Sequence, residues 1–314
     1  MTDSIDPHAL RRHRTGLALA AAGAVLFSAK AILAKFLFRE GLDALDVMAL
    51  RMLMALPLFV ALGWRERHRG GAQALSRRDM GLILVLGVLG YYLSSLLDFW
   101  GLQYVPVSLE RLILFLNPTF VLLLGVLAFG RRVARREWVA MAVSYAGVTL
   151  VFAENLRAQG DHLLFGSALV LLAAMSYALY LAMSGQLVKR IGSLRLVAYA
   201  MCVSTAATVL HYLLVRDPQH LLQLPANAYL LAVANAVLCT FLPVTFTMAA
   251  VARLGAATAA QLSVIGPVSL LFLGGWLLGE PITALQLLGT GVVLGGVWVL
   301  TRPGANSVPI AGEE

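Results

Sequence analysis

Long apolar stretches alternate with short polar ones along the whole chain. A helix needs roughly 20 residues to cross a hydrocarbon layer of about 30 Å. Ten stretches have that length: 16–38, 44–63, 80–99, 106–128, 134–153, 164–187, 194–214, 229–251, 256–278 and 283–301. No long polar insertion separates them, so the pattern predicts an all-α integral membrane protein with one membrane domain. The first stretch is longer than the roughly 7–15 residues of a signal-peptide core and is expected to be a retained helix.

The polar segments between the stretches carry unequal charge. One alternate set holds Arg11, Arg12 and Arg14, the basic cluster from Arg65 to Arg78, the cluster from Arg131 to Arg136, then Lys189, Arg190, Arg195, Arg253 and Arg302. The other set holds only Arg39, Arg157 and Arg216. Cytoplasmic loops are the ones enriched in Lys and Arg, so an N-terminal tail over 1–15 and a C-terminal tail over 302–314 are both expected in the cytoplasm, which requires an even number of spans. Trp64, Trp100, Trp138, Trp276 and Trp298 fall at or near stretch ends, where amphipathic rings prefer to sit.

Composition agrees. Of 314 residues 60% are hydrophobic and 13% charged, against about 25% charged in soluble domains. The net charge of +8 is accounted for by the loop bias, so no nucleic-acid partner is implied; the lipid bilayer is the expected surrounding. Cys202 and Cys239 lie in apolar stretches with no metal-ligand spacing and read as small core residues. No nucleotide-binding loop, catalytic triad or metal cluster is legible, so neither an enzyme nor a cofactor is expected.

The chain also repeats itself. A shift of 149 residues lays Pro118 on Pro267, Gly125 on Gly274, Gly130 on Gly279 and Gly147 on Gly296, and carries the first five stretches onto the last five. Five is odd, so the second copy must enter the membrane from the opposite side. Inverted repeats of this kind build many secondary transporters, whose halves exchange inward-open and outward-open shapes around a central site. Pro118 and Pro267 occupy equivalent mid-stretch positions and are hinge candidates, because a proline removes a helix hydrogen bond. Gly291 and Gly295 form a GxxxG, and Ala18 and Ala22 a similar small-residue pair, both of a kind that packs helices closely.

The stretches RMLMALPLF (51–59), FWGLQYVPVSLERLILFLNPTFVLLLGVLAFG (99–130) and ARLGAATAAQLSVIGPVSLLFLGGWLLGEPITALQLLGTGVVLGG (252–296) resemble EamA-type members of the drug/metabolite transporter superfamily. The last holds the family's L-G-E-x-x-x-x-x-Q-x-x-G pattern as Leu278, Gly279, Glu280, Gln286 and Gly289; the first half departs from it, with Arg131 after Gly130. The resemblance covers two five-helix halves, 16–153 and 164–301, and implies a ten-helix exporter or permease of small metabolites, often amino acids.

Charges inside the stretches are the chemistry-bearing feature. Lys30, Arg51, Asp98, Glu110 and Arg111 all fall in the outer half of the first repeat, and the second repeat has Leu179, Ala200, Thr247, Ala259 and Ala260 in their places. Two readings stand. Arg51, Asp98 and Glu110 can form an ion-pair network that gates the outer side. Lys30 and Arg111 can attract a carboxylate, with Tyr91, Asn117, Tyr177, Tyr180 and Thr240 completing a mid-depth substrate site. Lys35 is expected to snorkel. The expectation is therefore an inner-membrane exporter of amino acids or related carboxylate-bearing compounds working by alternating access. A lipid flippase or an intramembrane enzyme on a duplicated helical scaffold is the alternative. The oligomeric state is not fixed by the sequence, and a monomer stays open.

Overall fold

The computed structural model describes residues 7–69, 73–129, 135–159, 162–254, 262–263 and 265–301. Among the described residues all regular structure is helical. The helices are α1 Pro7–Arg39, α2 Ala44–His68, α3 Arg77–Gly87, α4 Ser94–Leu102, α5 Val107–Leu114, α6 Asn117–Phe129, α7 Arg135–Gln159, α8 His162–Ile191 and α9 Ser193–Val215. Then come the one-turn α10 Gln219–Leu222, α11 Ala226–Ala236, α12 Leu242–Leu254, α13 Ile265–Leu278 and α14 Ala284–Thr301. Among the described residues eight helical segments are long and apolar enough to cross a membrane; α13 and α14 are shorter apolar helices. The N-terminal part of the predicted stretch 256–278 lies outside the described residues.

Local chemistry sets the ends. Asp43 caps α2, its carboxylate accepting from the Leu45 and Asp46 amides at 2.9 Å while Asp46 accepts from the Asp43 amide. Ser76 and Asp79 make the same reciprocal box at α3, satisfying amide groups that a helix start leaves open. In lipid such groups have no water to turn to. Hydroxyls within the spans are satisfied the same way: Ser28, Ser144, Thr205 and Thr208 each donate to the carbonyl four residues back.

Two spans contain a wider turn. Between α3 and α4 the backbone makes a π-turn over Val88–Leu93, and between α11 and α12 another over Val237–Phe241. The two begin 149 residues apart, the offset of the sequence repeat. They read VLGYYL and VLCTFL when the residue after the second is included. Tyr91 and Thr240 are therefore equivalent positions, both inside π-turns, a geometry often found at functional sites.

The packing has the same offset. α1 lies against α12 and α13, and its counterpart α8 lies against α4 and α6; α2 meets α11 as α9 meets α3; α2 packs on α9 and α7 on α14. Close approach is made by glycines. A methyl on Gly147 would stand 2.7 Å from the Gly289 carbonyl, and one on Gly296 2.7 Å from the Ala140 carbonyl. The GxxxG expected to do this does not: Gly291 and Gly295 face open space, because residues 289, 293 and 296 form the inward stripe of α14. Likewise α1 approaches α12 through Gly16, Ala20 and Gly23, whereas Ala18 is exposed. All five tryptophans are exposed on the outside of the bundle, as are many leucines, the inverse of a water-soluble surface.

Pro118 and Pro267 stand in the first turns of α6 and α13. The predicted stretch 106–128 is interrupted at Phe115 and Leu116, with Leu116 N–H bonding the Ile113 carbonyl at 3.0 Å in a tight turn. Proline fits there because a first-turn residue needs no amide. Pro118 thus starts a helix after a break, where the sequence alone reads as a kink within one.

Candidate functional site

The break in the fourth span isolates the eight-residue α5, which holds Glu110 in its first turn and Arg111 in its last. Around it the structure gathers the five charged residues singled out in the sequence. Each is at most 6% exposed. The cations and two phenyl rings form a ladder. The Arg111 guanidinium lies 5.2 Å from the Phe27 ring centre, Lys30 Nζ lies 5.7 Å from Phe27 and 5.3 Å from Phe99, and the Arg51 guanidinium lies 4.9 Å from Phe99. Ring faces within about 6 Å attract cations, more strongly when water is excluded. The carboxylates meet at the middle rung: Lys30 is ion-paired with Asp98, and Glu110 Oε1 lies 3.9 Å from Lys30 Nζ.

The outer rungs are held by neutral acceptors. Arg51 Nη2 donates to Ser95 Oγ at 2.9 Å, and Arg111 Nη2 donates to the Phe27 carbonyl at 3.1 Å. Several polar atoms are left over. Arg51 Nε, Arg111 Nε, Asp98 Oδ1 and both Glu110 oxygens are buried without a hydrogen-bond partner among the described residues. Buried polar groups are normally paired, so among the described residues this cluster holds the largest group of unpaired polar atoms. Three formal cations meet two carboxylates, and two buried guanidinium N–H groups lack an acceptor among the described residues.

The tyrosines form a second group. Tyr91 and Tyr180 hydroxyls are 3.3 Å apart, the Tyr91 ring is edge-on to both Tyr177 and Tyr180, and Tyr177 and Tyr180 stack with ring centres 5.4 Å apart. Gly90 makes the approach possible, since a methyl there would fall 2.4 Å from the Tyr180 ring. Ser176 donates to the Leu89 carbonyl at 2.7 Å, tying α8 to the first π-turn. Thr240 donates to the Asn235 carbonyl of its own helix, so its hydroxyl hydrogen is already used. Asn117 Oδ1 is buried without a partner among the described residues, at the start of α6.

Sequence reading missed four contributors: Phe27, Phe99, Ser95 and Asn235. Phe27 stands three residues before Lys30, on the same side of α1, and Phe99 follows Asp98, so cation–ring pairing was a usable signal. Asn235 is fully buried with both side-chain ends unpaired among the described residues; nothing in its apolar neighbourhood marks it. Lys35 is half-buried and lines a cavity with Glu280.

The EamA-like transporter family profile matches this chain twice, over residues 14–153 and 164–302. The chain belongs to the EamA-like transporter family. Among its relatives, the "Uncharacterized transporter YcbK" of Bacillus subtilis is 31% identical over 90% of this chain and 92% of its own length. A "Probable terminal-alkyne amino-acid exporter" of Streptantibioticus cattleyicolor is 28% identical over 84% of this chain and 87% of its own. A "Probable amino-acid metabolite efflux pump" of Salmonella typhimurium is 26% identical over 62% and 67%. A solved crystal structure aligns with TM-score 0.62 over 91% of this chain and 96% of that one, at 14% identity, a likeness of fold. This EamA-family chain is therefore a multi-pass inner-membrane transporter and not an enzyme.

Proposed function

We propose that the protein is an alternating-access exporter of small carboxylate-bearing metabolites, amino acids foremost. The reading takes it as ten spans in two five-helix repeats of opposite orientation, 16–153 and 164–301, with both tails cytoplasmic. The observation that carries the substrate class is the buried ladder, in which cations outnumber carboxylates and the Nε groups of Arg51 and Arg111 lack acceptors among the described residues. An entering carboxylate would balance the charge and fill those donors. In this reading Lys30 and Arg111 bind the anion. Tyr91, Tyr177, Tyr180, Asn117 and Thr240 line the rest of the path, and Arg51, Asp98 and Glu110 hold the outer side shut. The helix starts at Pro118 and Pro267 are the points about which the halves rock.

Three further observations support it: the counterpart contacts of α1 and α8, the π-turns at one offset, and two relatives whose names include amino-acid export. The test is efflux. Proteoliposomes loaded with a labelled mixture of L-amino acids are expected to lose label faster than protein-free vesicles. Efflux at the protein-free rate, with labelled headgroup lipids crossing instead, would replace the exporter reading with a flippase. Orientation is checked separately by reporter fusions after Arg157 and after Arg302, expected outside and inside respectively; the same side for both would end the inverted-repeat arrangement.

A further inference from the structure

A cavity of about 440 Å3 opens where α1 ends, lined by Lys35, Phe38, Arg39, Leu42, Gln103 and Glu280 among others. A second of about 190 Å3 shares Lys35, Gln103 and Glu280 with it and continues to Asn155 and Gln286. Neither includes a residue of the buried ladder. Lys35 stands five residues after Lys30, about 7.5 Å along the helix, so the pair of cavities lies roughly one and a half turns beyond the ladder.

The charges here are not balanced. Lys35 and Arg39 are one turn apart on α1 and face the cavity together. Glu280 is the acid among the lining residues, so two cations face one carboxylate, and its oxygens are already hydrogen-bonded. Its Oε1 accepts from the Val107 amide at 2.8 Å and its Oε2 from Ser108 Oγ at 3.2 Å, which caps the N-terminus of α5. Gly279, with φ 72°, makes the left-handed turn that points Glu280 there. Arg39 spends one N–H on the Leu278 carbonyl at 3.1 Å. Lys35 makes no hydrogen bond or ion pair with a described residue. At the far end of the smaller cavity stands Gln286, 3% exposed, with Oε1 lacking a donor among the described residues. Its backbone is fixed, because the Gln286 amide donates to Thr283 Oγ1 and that hydroxyl donates to Glu154.

We infer that these joined cavities are a second binding site, for a zwitterionic amino acid with an apolar side chain. Its carboxylate lies against Lys35, which lines both cavities, its ammonium donates to Gln286 Oε1, and its side chain extends into the larger cavity toward Phe38 and Leu42, with Arg39 adding positive charge nearby. An anion alone would leave Gln286 unfilled, and a cation alone would face two positive groups. The site deepens the exporter reading, on which it rests: substrate released from the ladder is held here before leaving.

The experiment counts bound ligand. Purified protein in detergent is incubated with a uniformly labelled mixture of L-amino acids, and bound label is measured at saturation. Wild type is expected to bind two molecules per chain. Lys35→Gln and Gln286→Leu are each expected to weaken one of them at least tenfold, and Lys35→Arg to restore it. Arg111→Ala removes the other, with Arg111→Gln in reserve should the alanine variant aggregate. Gln286→Leu removes an amide oxygen that no described residue pairs, so its fold is expected to persist. One molecule per chain, kept in Lys35→Gln and lost in Arg111→Ala, overturns the second site and leaves the exporter reading standing. One molecule lost in Lys35→Gln and kept in Arg111→Ala supports the second site and removes the ladder as a binding site. No binding by wild type overturns both.

Discussion

Replacing Arg111 by alanine is expected to weaken binding of carboxylate-bearing ligands about 10- to 150-fold, while the corresponding amides bind nearly as before. The range comes from roughly 1.5–3 kcal/mol for a hydrogen bond to a charged group. Arg111 already has one N–H on the Phe27 carbonyl and a ring beneath its guanidinium, so it is held in place before ligand arrives and less ordering entropy opposes binding. Its Nε is the donor left over. The measurement is equilibrium binding of an amino acid and its amide to wild type and Arg111→Ala. Equal losses for both ligands would mean that Arg111 only closes the outer side, and the carboxylate would need another partner.

Asp98→Ala should have the largest effect on stability. Lys30 is then left beside Glu110 alone, at 3.9 Å and without a hydrogen bond, in an interior where it is 6% exposed. Breaking a buried pair from one side costs about 3–5 kcal/mol, whereas replacing both partners by apolar residues is often neutral. On a scale of roughly 2–4 °C per kcal/mol for larger domains, the melting temperature in detergent should fall by about 10 °C. The triple variant Lys30→Met, Asp98→Leu and Glu110→Leu, which leaves neither carboxylate of the cluster without its cation, should regain most of it. A single variant that melts with wild type would mean that Lys30 is satisfied without Asp98.

Much of the architecture was legible because lipid enforces a simple rule: every span must satisfy its own backbone and turn apolar groups outward. Length and hydropathy therefore located the helices, and the prolines and glycines exposed the repeat. The charged residues were legible for the same reason, since each is costly enough in hydrocarbon to need an explanation. Their partners were not. Arg111 reaches a backbone carbonyl and a ring instead of a carboxylate, and a carbonyl carries no sequence label. The role of Glu280 was hidden too: as part of a motif it reads as packing, yet it caps α5 from 172 or 173 positions away. The GxxxG misled because spacing gives a stripe but not the direction it faces.

The two π-turns also keep the halves in register. A π-turn holds one residue more than the α-helical path through the same space, so a span that contains one presents its later residues as if that residue had been absorbed locally. The halves of this chain align with no gap across Val88–Leu93 and Val237–Phe241. Both spans are therefore widened at the same place, and the helices beyond the turns, α4 and α12, keep equivalent faces. Tyr91 and Thr240 stand at that place, so the two halves differ there in side chain and not in backbone.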